Sequence, residues 1–217
     1  MEIYWHGQAC FEIRTASIDA KKKTRIVIDP YGKQTGLKLP SLRADLLLIT
    51  HDHEDHNNEK VVKDSPFVIK EAGEYEVKEV FVKGVSASHG TYEKKDLGKT
   101  LIYIIETEGI SLCHLGDLGQ EELSSQQLET IGDVDILMIP VGGKYTIDAE
   151  GAQKIANQIE PKIIIPMHYK IANLKFELDK VDEFLKTMGQ ENIKEEEVLK
   201  IKANALPSET KIIVLKP

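Results

Sequence analysis

Short apolar runs separated by polar or glycine-containing breaks make up most of this chain. Runs at 2–5, 9–14, 25–29, 45–50 and 67–70 have strand length. The first two are joined at His6-Gly7-Gln8, a glycine-centred turn, and Pro30 closes the third because proline cannot donate to a ladder. From Gly73 to Val85 polar and apolar residues alternate, as a half-exposed strand pair should. Residues 100–106 and 110–115 form a hairpin across Glu108-Gly109, and further strands are expected at 135–139, 162–165, 198–201 and 211–215. Helical spacing predicts three helices. One spans 120–130 and stops at Gly132; a second begins near Asp148, ends before Pro161 and buries Ile155, Ala156 and Ile159. A third carries Leu178, Val181, Leu185 and Met188 on one face and stops at Gly189. A brief helix through Val61 and Val62 is expected too, with Asn57 or Asn58 as its N-cap. Strand runs alternating with separate helices predict an α/β layered sandwich, and 217 residues fit a single domain over 1–217.

Charge narrows the partners. The net charge is −8 with both signs mixed along the chain, and no basic stripe exists to track a phosphate backbone, so nucleic acid is disfavoured. Lys21-Lys22-Lys23 is read as a solvated hairpin tip. The two cysteines, Cys10 and Cys113, sit in apolar runs, which suits reduced thiols in a cytoplasmic protein better than a disulfide framework. No export signal or membrane-spanning run is expected. A small-molecule substrate is the expected partner, and a homo-oligomer is allowed.

The candidate chemistry lies in Thr50-His51-Asp52-His53-Glu54-Asp55-His56-Asn57, where three of the seven histidines are interleaved with carboxylates just after an apolar strand. In extended chain His51 and His53 share a face and can reach one cation, while a turn near Asp55 and His56 swings those two towards a second. His89, Asp117 and His168 each follow a strand that could carry them to the same rim. Two cations ligated by nitrogen and oxygen need about this many side chains. His114 is a candidate supporting partner of the site, and His6 is read as structural.

The order His51-x-His53-x-Asp55-His56, then His89, Asp117 and His168, resembles the metallo-β-lactamase superfamily over essentially the whole chain. Residues 84–89, Leu115-Gly116-Asp117, Pro140-Val141-Gly142-Gly143 with Tyr145-Thr146, and Pro166-Met167-His168-Tyr169 resemble the small metal-dependent hydrolases of the ascorbate-6-phosphate lactonase-like branch. The resemblance implies a four-layer αβ/βα sandwich with the metals at one edge. It implies His51, His53 and His89 on one metal, Asp55, His56 and His168 on the other, and Asp117 between them. Gln8 and Lys144 stand where many relatives carry histidine, and both are expected to bear on the substrate.

The chemistry expected of such a set is hydrolysis. Two cations roughly 3.5 to 4 Å apart hold a hydroxide between them and polarise the oxygen under attack, with Asp55 or a metal-bound water available to protonate the leaving group. Zinc is the first choice for both ions, with manganese or iron as alternatives. The substrate is expected to be a small ester, lactone or phosphodiester, with an anionic group at Lys144. The alternatives weighed are a nuclease of the same fold, a diiron oxygen reductase and a non-catalytic metal-binding module. The first two would ordinarily bring a clamp or a flavin domain, and a structural zinc needs only about four closed ligands.

Overall fold

The structure, a computed structural model, describes residues 1–15 and 23–217. Lys21 and Lys22 of the expected hairpin tip lie outside the described residues. In chain order the described strands are β1 (Glu2–Trp5), β2 (Phe11–Arg14), β3 (Arg25–Ile28), β4 (Leu42–Arg43), β5 (Leu46–Leu48), β6 (Val62–Lys63), β7 (Phe67–Ile69), β8 (Gly73–Val77), β9 (Val80–Ser88), β10 (Thr91–Tyr92), β11 (Lys95–Asp96), β12 (Lys99–Thr107), β13 (Ile110–His114), β14 (Ile136–Pro140), β15 (Ile163–Met167), β16 (Leu199–Lys200) and β17 (Lys211–Ile212). The α-helices are α1 (Ser125–Ile131), α2 (Ala149–Ile159) and α3 (Val181–Thr187).

Two sheets hold the molecule together, one in the order β16-β1-β2-β3-β5-β7 and the other in the order β17-β15-β14-β13-β12-β9-β8. The period-two rule decides which residues face between them. Ile26, Ile28, Leu46 and Leu48 join the main core with Tyr103, Ile105 and Leu112 of the second sheet, whereas Val27 and Leu47 point the other way into a smaller cluster with Tyr31, Leu42 and Val62. Strands β3, β5 and β7 run parallel, as do β13, β14, β15 and β17. Their near-continuous apolar sequences are those of strands covered on both faces.

The layered α/β sandwich expected from the alternation is present, with one local difference. Among the described residues α1 packs on β9, α2 on β14 and α3 on α2, so all three serve the seven-stranded sheet. The outer face of the six-stranded sheet is covered instead by the segment between β3 and β7, which forms 3-10 turns at Lys33–Thr35 and Glu59–Val61 and the β4–β6 ladder. Gly32, Gly36 and Pro40 keep that segment from becoming an α-helix. The turn at Glu59–Val61 replaces the brief helix expected through Val62, and Asn58 donates its amide to Tyr31 O rather than capping it.

Caps set the helix boundaries. Helix α1 begins at Ser125, not near Gln120, because Ser124 and Gln127 form a reciprocal capping box and Gln120 bonds Gln127 from outside. Asp148 caps α2 by accepting from Gly151 N. Leu178 is buried but precedes α3, which starts only at Val181. No helix of the described residues is long and apolar enough to cross a membrane.

Candidate metal centre

The topology gathers the candidate residues at one rim. Thr50 and His51 follow β5, His89 follows β9, Asp117 follows β13 and His168 follows β15. Strand β9 pairs antiparallel to β12 and β12 antiparallel to β13, so β9 and β13 end on the same side as the parallel strands β14 and β15. This is the carboxyl edge at which α/β sheets place their ligands. The sheets are tied together there: Leu101 N donates to Thr50 O at 2.9 Å, and the buried Tyr103 hydroxyl lies 2.8 Å from Ile49 O and 3.0 Å from Ile69 O.

Three overlapping groups of ligating side chains result: His51, His53 and His89; His51, His56 and Asp117; and Asp55, His56 and His168. All seven residues expected from the sequence are thus brought together. Asp117 Oδ2 lies 3.2 Å from His56 Nε2, 3.3 Å from His168 Nε2 and 3.6 Å from His89 Nε2. His51 and His53 meet, Nε2 to Nδ1 at 3.0 Å, but not for the reason of extended-chain alternation. Strand β5 ends at Leu48, residues 51 and 52 bend, and His53 O accepts from His56 N and Asn57 N in a turn.

Asp29 and Thr50 orient this histidine run, and sequence reasoning missed both. Asp29 is fully buried and its carboxylate accepts from Thr50 N at 2.8 Å and Thr50 Oγ1 at 2.6 Å, with His56 Nδ1 at 2.9 Å. Thr50 has spent its single proton on Asp29, so it accepts from His51 Nδ1 at 2.9 Å. Both imidazoles therefore carry a proton on Nδ1 and turn Nε2 towards the cluster. The available signal was a lone carboxylate at the exit of β3, immediately before Pro30.

Two glycines fix the ligands of the second sheet by close approach. A Cβ on Gly119 would sit 2.0 Å from His89 O, and one on Gly142 would sit 2.1 Å from His168 O. Both contacts are with backbone, which cannot swing aside as a flexible side chain would.

Electrostatics match a cation-binding centre. Burial disfavours charge throughout, yet Asp117 is held well below the usual carboxylate range by the facing His168 and His56, and Asp55 is held low chiefly by His56. His56 moves well above the usual imidazole range because Asp117 and Asp55 outweigh its burial. Burial, reinforced by His56, pushes His51 down to about 2, and burial also lowers His168. His56 Nε2 and Asp117 Oδ1 are buried without an aligned hydrogen-bond partner. Nitrogen and oxygen atoms converging in this way fit a bound cation, and imidazole and carboxylate are the ligands of zinc, manganese or iron.

The remaining candidates fall elsewhere. A cavity of about 270 Å³ opens on His53, Asp55, His89, Asp117 and His168, and Leu97, Tyr145 and Phe176 complete its lining. Lys144 is not among these residues; its ammonium bonds Glu177 Oε2 at 3.1 Å, and its backbone is left-handed at φ 58°. Gln8 does not line the cavity either, but lies fully buried behind it, with Nε2 3.4 Å from His168 Nε2. The backbone carbonyl of Gln8 accepts from Trp5 Nε1 at 2.8 Å and from His168 N at 3.1 Å. His114 is a structural histidine: Nε2 reaches Ala9 O at 3.0 Å, and Nδ1 accepts from Gly116 N at 3.1 Å, bracing the turn before Asp117. His6 faces Glu12 at 3.5 Å, away from the cluster.

Comparison with known proteins agrees with this geometry. The family described as a beta-lactamase superfamily domain matches residues 2–168. A UPF0173 metal-dependent hydrolase of Thermoplasma volcanium is 31% identical over 78% of this chain and 83% of its own length, and one of Thermoplasma acidophilum is 31% identical over 80% and 85%. A Thermotoga maritima crystal structure, described as a Zn-dependent hydrolase of the metallo-beta-lactamase superfamily, superposes with TM-score 0.77 at 37% identity, covering 99% of this chain and 97% of that one. With the rim, the ligand order and these matches in agreement, the chain belongs to the metallo-β-lactamase superfamily, among the UPF0173 metal-dependent hydrolases.

Proposed function

We propose that the protein is a dinuclear metal-dependent hydrolase of a small molecule. The observation that carries this reading is Asp117, whose carboxylate faces His56, His89 and His168 at once and so can be shared by two ligand groups. His51, His53 and His89 would hold one cation, and Asp55, His56 and His168 the other. When bound, such cations lower the pKa of water and polarise the oxygen of the bond to be cleaved. Zinc is the proposed ion, favoured by five imidazoles, with manganese or iron as the alternative for the group that contains Asp55.

The chain's own residues supply the rest. Asp29 and Thr50 hold His56 and His51 in the ligating tautomer without a rearrangement. Asp55 lines the cavity and its carboxylate is kept ionised by His56, so it can take the proton released when water adds to the scissile carbon. It then returns that proton to the leaving oxygen or sulfur as the bond breaks, which balances the hydrolysis. A nuclease reading is disfavoured by the −8 net charge and by the small cavity. The buried, free Cys10 and Cys113 support a reducing, cytoplasmic setting.

The experiment is elemental analysis of zinc- or manganese-loaded protein, combined with hydrolysis of a panel of lactones, esters, thioesters and phosphodiesters with and without chelator. About two cations per chain and chelator-sensitive turnover are expected. Fewer than one cation after loading, or rates untouched by chelation, would overturn the proposal.

A further inference from the structure

The part of the cavity that is not metal centre is apolar. Leu97, Tyr145 and Phe176 form it, and they come from three separate segments. Leu97 N donates to Gly90 O and His89 N to Gly98 O, so the small β10–β11 hairpin is closed at its base directly on a candidate ligand. Tyr92 of that hairpin lies against Tyr145, ring centroids 4.6 Å apart, and Phe176 meets Tyr145 edge-on at 6.4 Å. Tyr145 itself is positioned by the glycine loop, its N donating to Gly143 O at 2.7 Å. The aromatic wall is therefore anchored to the same backbone that positions His89 and His168.

The nearby cations are committed elsewhere. Lys144 bonds Glu177, and Lys170 donates to Leu174 O and Phe176 O, each at 2.7 Å, which folds the segment carrying Phe176. Among the described residues no lysine or arginine lines the cavity, whereas Asp55 and Asp117 do. An anionic substituent placed here would meet the Asp55 and Asp117 carboxylates with no lysine or arginine of the described residues to pair with, at the cost of its own hydration. A flat or branched apolar group would instead bury surface against Leu97 and the rings of Tyr145 and Phe176.

Resting on the hydrolase reading above, we propose that the substrate is a small uncharged ester, lactone or thioester. Its apolar group beside the scissile bond packs on Tyr145, Phe176 and Leu97, and these residues set specificity. The expected anionic group at Lys144 is thereby replaced by an apolar one.

Hydroxamates, which grip metals through the same two oxygens whatever their tail, separate the tail from the metal. Calorimetry on the zinc-loaded full chain would compare acetohydroxamate, isocaprohydroxamate and succinic monohydroxamate, the last carrying a carboxylate in place of the branched methyl pair. Isocaprohydroxamate should bind about tenfold tighter than either of the others, the size of one modest apolar contact. Tyr145→Ala and Phe176→Ala should each erase most of that preference while leaving metal content and acetohydroxamate affinity unchanged. Lys144→Met should change nothing. Equal or tighter binding of the succinic compound, or a preference that survives both aromatic substitutions, would overturn the proposal. If that happened while the neutral ester panel still showed chelator-sensitive turnover, the hydrolase reading would stand and only this inference would fall. Failure of every hydroxamate to bind the loaded chain would sink both.

Discussion

The two triads of the proposed centre differ in almost every property that decides cation binding. His51, His53 and His89 are all imidazole, and His53 is exposed. Asp55, His56 and His168 include a carboxylate and two buried imidazoles, one of which, His56, holds a proton in the metal-free protein. The first triad is open; the second is enclosed, and its His56 binds a proton more tightly than an ordinary imidazole because Asp117 and Asp55 face it. Asp117 touches members of both, so it is where the comparison can be broken most completely.

Asp117→Ala should therefore remove cations from both triads and drop turnover to background, whereas His53→Ala should leave the second triad loaded. Metal content per chain, measured alongside hydrolysis, checks this. Loss of a single cation in Asp117→Ala would show that the carboxylate serves one triad only. The next largest effect is expected at Asp29→Asn. Asparagine tolerates the left-handed backbone at φ 45°, so the turn should survive. Its single carbonyl oxygen cannot accept from Thr50 N, Thr50 Oγ1 and His56 Nδ1 together. Cation affinity at both triads should fall about 10- to 100-fold, the usual cost of removing such a partner. A chelator-competition titration reads it, and an unchanged affinity would show that the tautomers are set elsewhere.

Asp29 also marks the boundary of what the sequence makes legible. The run from His51 to His56 is readable because its residues are adjacent, and a strand followed by clustered histidine and carboxylate has few other uses. His89, Asp117 and His168 are readable only as single polar residues after strands, and it is their order that identifies them. Asp29 meets Thr50 and His56 across 21 and 27 residues, and nothing local distinguishes it from any aspartate before a proline. Most strands were legible for the same local reason that the histidine run was. The layer over the six-stranded sheet was not, because irregular turns stabilised by Tyr31, Leu42 and Val62 have no periodicity. Lys144 misled because its loop does approach the site, but its ammonium pairs with Glu177, 33 residues further along the chain, a contact that nothing local to the loop announces.

A more selective pair of substitutions acts on one triad each. Gly119→Ala pushes against His89 O and so disturbs the first triad; Gly142→Ala pushes against His168 O and disturbs the second. Overpacking against backbone costs about 1 to 3 kcal/mol of stability, seen as a lower urea midpoint. Gly119→Ala should lower the cation occupancy of the first triad and Gly142→Ala that of the second, as read by cobalt spectra of the substituted proteins. Identical spectral losses in the two variants would mean that the triads respond as one unit.

The gentlest test is pH, which acts through protons without altering the chain. His56 has its folded pKa raised by Asp117 and Asp55 despite burial, so in the metal-free protein its contribution to stability is complete below the unfolded imidazole value. That contribution is lost as pH rises through the folded value. A cation on the second triad needs His56 neutral, so its binding releases one proton, and its affinity should rise by at most about tenfold per pH unit below that folded value. His51, lowered to about 2 by burial and then by the His56 charge, carries no proton to displace near neutral pH. Calorimetry in buffers of different ionisation enthalpy, at about pH 6 and about pH 8, counts the protons released. One proton released from His56 on filling the second triad, with none owed to His51 on filling the first, is the expected result. In parallel, the metal-free chain should melt lower as pH rises, and the loaded chain should not. Equal proton release by both triads would remove the electrostatic half of the comparison and leave only the difference in exposure.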